Sequence, residues 1–165
     1  MKRFIPFAIL LFALGCAPTT APKPDPKPDA HADHGHDHPT EGPHHGQLIE
    51  LGKEEFHLEL VHDDATHTIS VYVLDSAAKK SVPVDAKEIT LNLVAGEDKP
   101  AQYTLPAKPQ ADDGEGKASL FQLADEKLCT GLDNEKATGR INITINEKPY
   151  TGKIAAHKHD HDHKH

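Results

Sequence analysis

Between positions 46 and 155 apolar and polar residues alternate in short runs, the period-2 pattern of strands that bury one face. Phe56, Leu58 and Leu60 fall on one face with Glu55, His57 and Glu59 on the other. Ile89, Leu91 and Leu93 repeat the pattern, and Ile141, Ile143 and Ile145 alternate with Asn142, Thr144 and Asn146. The pattern predicts strands over 47–51, 55–62, 67–75, 88–95, 100–105, 118–123, 139–146 and 149–155. Turn-forming groups such as Asp63-Asp64 and Gly96-Glu97-Asp98 separate them, and 106–117 reads as a long exposed loop. Ala124 to Leu128 has room for one helical turn. The fold class expected is all-β: a single antiparallel β-sandwich, immunoglobulin-like or related.

One hairpin is specific enough to predict in register. Strands 55–62 and 67–75 over loop 63–66 would pair Leu60 with Ile69, Leu58 with Val71 and Phe56 with Val73, all apolar. His57 would then lie opposite Tyr72. His62 would lie opposite His67 beside Asp63 and Asp64, where two imidazoles either share a metal ion or stand solvated at an open hairpin end.

Outside this region the pattern changes. Phe4 to Leu14 is apolar apart from Pro6 and follows Lys2 and Arg3. As a helix these eleven residues would rise only about 16 Å, too little to cross roughly 30 Å of hydrocarbon. They have the size of a signal-peptide core. Ala13-Leu14-Gly15-Cys16 resembles the lipobox of bacterial lipoproteins, although Ala13 stands where leucine is usual. That resemblance implies cleavage after residue 15, lipidation of Cys16 and anchorage to a membrane. Ala17 is compatible with sorting to the outer membrane. A plain secretory signal cut near Gly15 is the alternative. If Cys16 is lipidated, Cys129 has no disulfide partner, and its apolar setting suits a buried core residue.

Residues 16–45 begin with prolines at 18, 22, 24, 26 and 28, an extended spacer that cannot form helix. The chain holds 14 histidines, and they crowd to either side of the β-region. His31, His34, His36, His38, His44 and His45 precede it; His157, His159, His161, His163 and His165 follow it in 156–165. Neutral imidazole suits zinc, copper and nickel, and the interleaved aspartates favour a cation. In a disordered tail these ligands make several weak, poorly selective sites. Competing readings are a tag-like terminus, solvating low-complexity sequence and a pH-responsive segment. The only methionine is Met1, so a thioether site for Cu⁺ has no support.

The domain plan is therefore a leader at 1–15, a spacer and histidine-rich tail at 16–45, a sandwich at 46–155 and a second tail at 156–165. A net charge of −8 with no basic cluster argues against nucleic acid. No nucleophile elbow, phosphate loop, Cys-x-x-Cys or His-Glu-x-x-His occurs, so no enzyme is expected.

The stretch Gly42-Pro43-His44-His45-Gly46-Gln47-Leu48-Ile49-Glu50-Leu51-Gly52, followed by Glu55 to Val61, resembles an opening found in two sets of bacterial envelope proteins. One is a group of small lipoproteins. The other is the N-terminal region of periplasmic adaptor (membrane-fusion) subunits of heavy-metal efflux systems. That opening usually reads Gly-Pro-His-Gly-Gly, so His45 replaces a glycine. The resemblance implies an envelope location, metal handling through His44, and an envelope metal-transport protein as a partner. The adaptor's helical hairpin and lipoyl halves have no counterpart here. The function expected is an envelope lipoprotein that binds or buffers zinc, copper or nickel. The alternative is a β-sandwich interaction module accessory to efflux.

Overall fold

The computed structural model describes residues 40–154, Asp98 excepted. Eight strands form: β1 Gln47–Leu51, β2 Phe56–Asp63, β3 Thr68–Leu74, β4 Glu88–Val94, β5 Ala101–Pro106, β6 Leu120–Ala124, β7 Thr138–Ile145 and β8 Lys148–Ile154. Helix α1, Glu126–Leu132, lies between β6 and β7. Two four-stranded antiparallel sheets, ordered β1-β2-β3-β6 and β5-β4-β7-β8, pack into the expected sandwich. These orders differ from the A-B-E-D and C-F-G sheets of an immunoglobulin constant domain.

Alternation along each strand fills the space between the sheets. Leu58, Leu60, Val71 and Val73 of the first sheet meet Ile89, Leu91, Ile141 and Ile143 of the second, with Phe121 fully buried among them. The 124–128 turn extends into the longer helix α1. Asp125 caps it, accepting a hydrogen bond from Leu128 N at 2.8 Å, and Leu128, Cys129 and Leu132 face the core. Loop 106–117 is exposed as expected apart from Asp113 and the half-buried Ala107. Asp113 is buried in it and accepts from Gln110 N (2.6 Å) and Ser119 N (2.9 Å).

Strands β1 and β8 meet at one edge and run in opposite directions. A side chain at Gly152 would overlap Ile49, and Gly52 faces Tyr150. At the far end of this edge Glu55 binds Lys148 Nζ at 2.7 Å and Tyr150 Oη at 2.6 Å. The start of β1, the end of β2 (Gln47 opposite Leu60) and the end of β8 therefore lie toward the same end of the sandwich. Helix α1 and Asp133 belong to that end too, because β7 begins opposite Ile154.

The folded unit begins earlier than Gly46. Glu41 bridges to Gln47, and the turn between them closes through Gly42 N to Gly46 O at 3.0 Å and His45 N to Gly42 O at 3.1 Å. His44 and His45 are thus part of the domain and not of a preceding tail.

Candidate metal centre

The β2–β3 hairpin has a different register from the expected one. Leu60 pairs with Val71, Leu58 with Val73, His62 with Ile69, and Asp63 with Thr68. The slip is two residues, which returns every side chain to its own face, so the apolar pattern cannot detect it. The turn decides instead. Asp63 Oδ1 accepts from Ala65 N (3.0 Å) and Thr66 N (3.2 Å), and His67 closes the loop in the left-handed region at φ 48°. Hydrogen bonds from the Thr66 hydroxyl and amide, and then from Ala65, hold the Asp63 carboxyl below its ordinary range. His62 and His67 consequently do not face each other. His67 is exposed, and its carbonyl accepts from Asp125 N at 2.9 Å.

His62 has other company. Its side chain is 12% exposed; Nε2 lies 3.1 Å from Asp64 Oδ1, and Nδ1 lies 3.1 Å from Asp133 Oδ1. Among the described residues His62, Asp64 and Asp133 form the one group of three potential metal ligands whose donor atoms all lie within 4.8 Å of one another. Asp133 comes from the C-cap of α1, about seventy residues along the chain from the hairpin. Cys129, one turn earlier on α1, is buried and forms no disulfide. Burial, reinforced by the carboxylates of Asp133, Asp64, Asp125 and Asp63, pushes its thiol up to about 11. It is an inert core group, as its sequence setting implies.

A second histidine is held on the outer face of the first sheet. Glu59, fully buried, accepts from His44 N (2.6 Å) and Gly46 N (2.9 Å), and its other oxygen lies 2.7 Å from His44 Nδ1. The His44 ring stacks on Tyr72, with centroids 3.8 Å apart and planes 7° from parallel. Tyr72 is the cross-strand partner of Glu59; His57 pairs with Leu74 and lies 3.2 Å from Asp75 O through Nδ1. The Nδ1 contact to a carboxylate is the arrangement that orients metal-binding histidines with Nε2 outward. Gly42 is required for this approach, since a Cβ there would overlap the Glu59 carboxyl carbon. His45 points away; its Nδ1 is 3.9 Å from Glu41, both side chains largely exposed.

Compared with protein-family models, curated proteins and solved structures, the chain matches none.

Of the site residues expected from sequence, the described region brings His62 into a ligand group and fixes His44, while His45 and His67 stand apart. Cys16, His31, His34, His36, His38, His157, His159, His161, His163 and His165 lie outside the described residues. Sequence reasoning missed Glu59, which alternation assigns to a solvated face, and Asp133, which only the packing of α1 brings to His62. His45 adopts φ 61°, a left-handed conformation that glycine occupies without strain. His45→Gly is expected to leave the fold intact and change stability by no more than about 1 kcal/mol, in the stabilising direction, in urea unfolding.

Proposed function

We propose that this protein is a cell-envelope lipoprotein, held on a membrane through Cys16, that binds or buffers zinc, copper or nickel. The histidine-rich segments 31–38 and 157–165 supply most of the ligands. The reading is supported chiefly by where the domain gathers histidine chemistry. The His44–His45 turn, the His62 group and the end of β8, just before His157, all lie toward one end of the sandwich. The density of imidazoles along each segment raises the local ligand concentration without a rigid cage. The acidic balance of the chain favours cations in the same direction.

The test replaces the four histidines at 31, 34, 36 and 38 and the five at 157–165 with serine in the full chain. After dialysis against Zn²⁺ or Cu²⁺, bound metal per chain should fall by more than half. An unchanged count contradicts the reading.

A second reading makes the sandwich an interaction module accessory to metal efflux. It draws on a groove of about 520 Å³ between α1 and the β4–β5 hairpin, lined by Leu93, Ala101, Tyr103, Lys127 and Gly131. An unchanged metal count in the nine-histidine variant would favour it.

A further inference from the structure

The His62 ring lies between two carboxylates. Nε2 is buried and has no hydrogen-bond partner, although Asp64 Oδ1 is only 3.1 Å away. Nδ1 is equally close to Asp133 Oδ1 on the other side of the ring. A neutral imidazole has one N–H and one lone pair, so a neutral His62 meets at least one carboxylate oxygen with a lone pair. Two acceptors at that separation repel unless a proton or a metal ion lies between them. The spacing itself suits an ion: two ligands on a tetrahedral zinc with bonds near 2.0–2.1 Å stand about 3.3 Å apart.

We propose that His62 Nε2 and Asp64 Oδ1 bind one divalent transition-metal ion, with Asp133 orienting the ring through Nδ1. This deepens the metal-binding reading and rests on it, but it assigns an ordered site that the histidine-rich segments do not form. Histidine ligands with a carboxylate on the second nitrogen are more basic and fixed in orientation, which is the role of Asp133. Two protein ligands leave the remaining positions to water, so the site exchanges its ion where a closed four-ligand centre would retain it. Asp64 is 86% exposed and Asp133 is 45% exposed, so the ion enters from solvent while the imidazole stays anchored in the sheet. The neighbouring Cys129 thiol is buried in the core and supplies no ligand.

The experiment uses the full chain carrying the nine histidine-to-serine replacements, titrated with Zn²⁺ alone. Binding is followed by calorimetry and by ¹⁵N resonances of the remaining imidazoles. One equivalent should bind, and it should move the His62 Nε2 resonance into the metal-bound range. Asp64→Asn, at an exposed position, should weaken that equivalent at least tenfold with no change in thermal midpoint. Asp133→Asn should weaken it about 10–100-fold. The proposal is overturned if no equivalent binds, if one binds while the His62 resonances stay still, or if those resonances answer to pH and not to Zn²⁺. Loss of all metal in the nine-histidine chain refutes this site and leaves the capture segments standing. Equal stoichiometry in the two chains, with His62 shifted, refutes the capture segments and leaves this site standing.

Discussion

Glu59→Ala should destabilise the domain by about 3–5 kcal/mol, the penalty of removing one member of a buried, charge-assisted network. The residue is wholly inaccessible and accepts two backbone amides as well as pairing with an imidazole. Alanine leaves His44 N and Gly46 N without acceptors and opens a void beneath the Tyr72-stacked ring. For a domain of this size the thermal midpoint should fall by about 10–20 °C. Glu59→Gln keeps an acceptor oxygen and should cost less, about 1–3 kcal/mol. A chain beginning at Thr40 should match the full chain in urea unfolding. One beginning at Gly46 should lose stability, because it lacks the turn that covers Glu59. If Glu59→Ala shifts the urea midpoint by no more than a surface substitution does, the Gly42–Gly46 turn is not part of the fold's energetic core.

Acidification should release most of the bound metal. A histidine ligates only as neutral imidazole, and the unperturbed group protonates near pH 6.5. Each ion held by two or more histidines competes with that number of protons, so affinity falls as a power of proton concentration. Between pH 7.5 and pH 5 the chain should lose more than about 90% of its Zn²⁺. Cu²⁺, bound more tightly by the Irving–Williams order, should be retained to lower pH than Zn²⁺ or Ni²⁺. Metal content after dialysis at each pH measures this directly. Retention of Zn²⁺ at pH 5 would mean that carboxylates, and not histidines, are the ligands.

The fold was legible because alternation is a strong signal. Leu58 and Leu60, or Ile141, Ile143 and Ile145, can satisfy a buried face only as strands, and all eight strands form within a residue or two of their expected bounds. Register was not legible, since a two-residue slip leaves every face unchanged. It took the Asp63 turn and the left-handed His67 to choose. Glu59 shows the same limit from the other side. Alternation says only that it points away from the core, and the burial comes from a segment thirteen to seventeen residues earlier folding over it. Asp133 reaches His62 through the docking of α1, a contact between distant residues that no local pattern encodes. The clustering of histidines was evident from the sequence alone, whereas the carboxylates that contact His44 and His62 were hidden among many solvated ones.

The central claim is that histidines of this chain hold divalent transition metal, and calorimetric titration of the full chain with Zn²⁺, Cu²⁺ and Ni²⁺ at pH 7.5 tests it most directly. The account predicts several equivalents per chain, tightest for Cu²⁺, with most of the binding lost when the nine histidines in 31–38 and 157–165 become serine. A titration with no binding heat for any of the three ions, or one indifferent to those replacements, would contradict it.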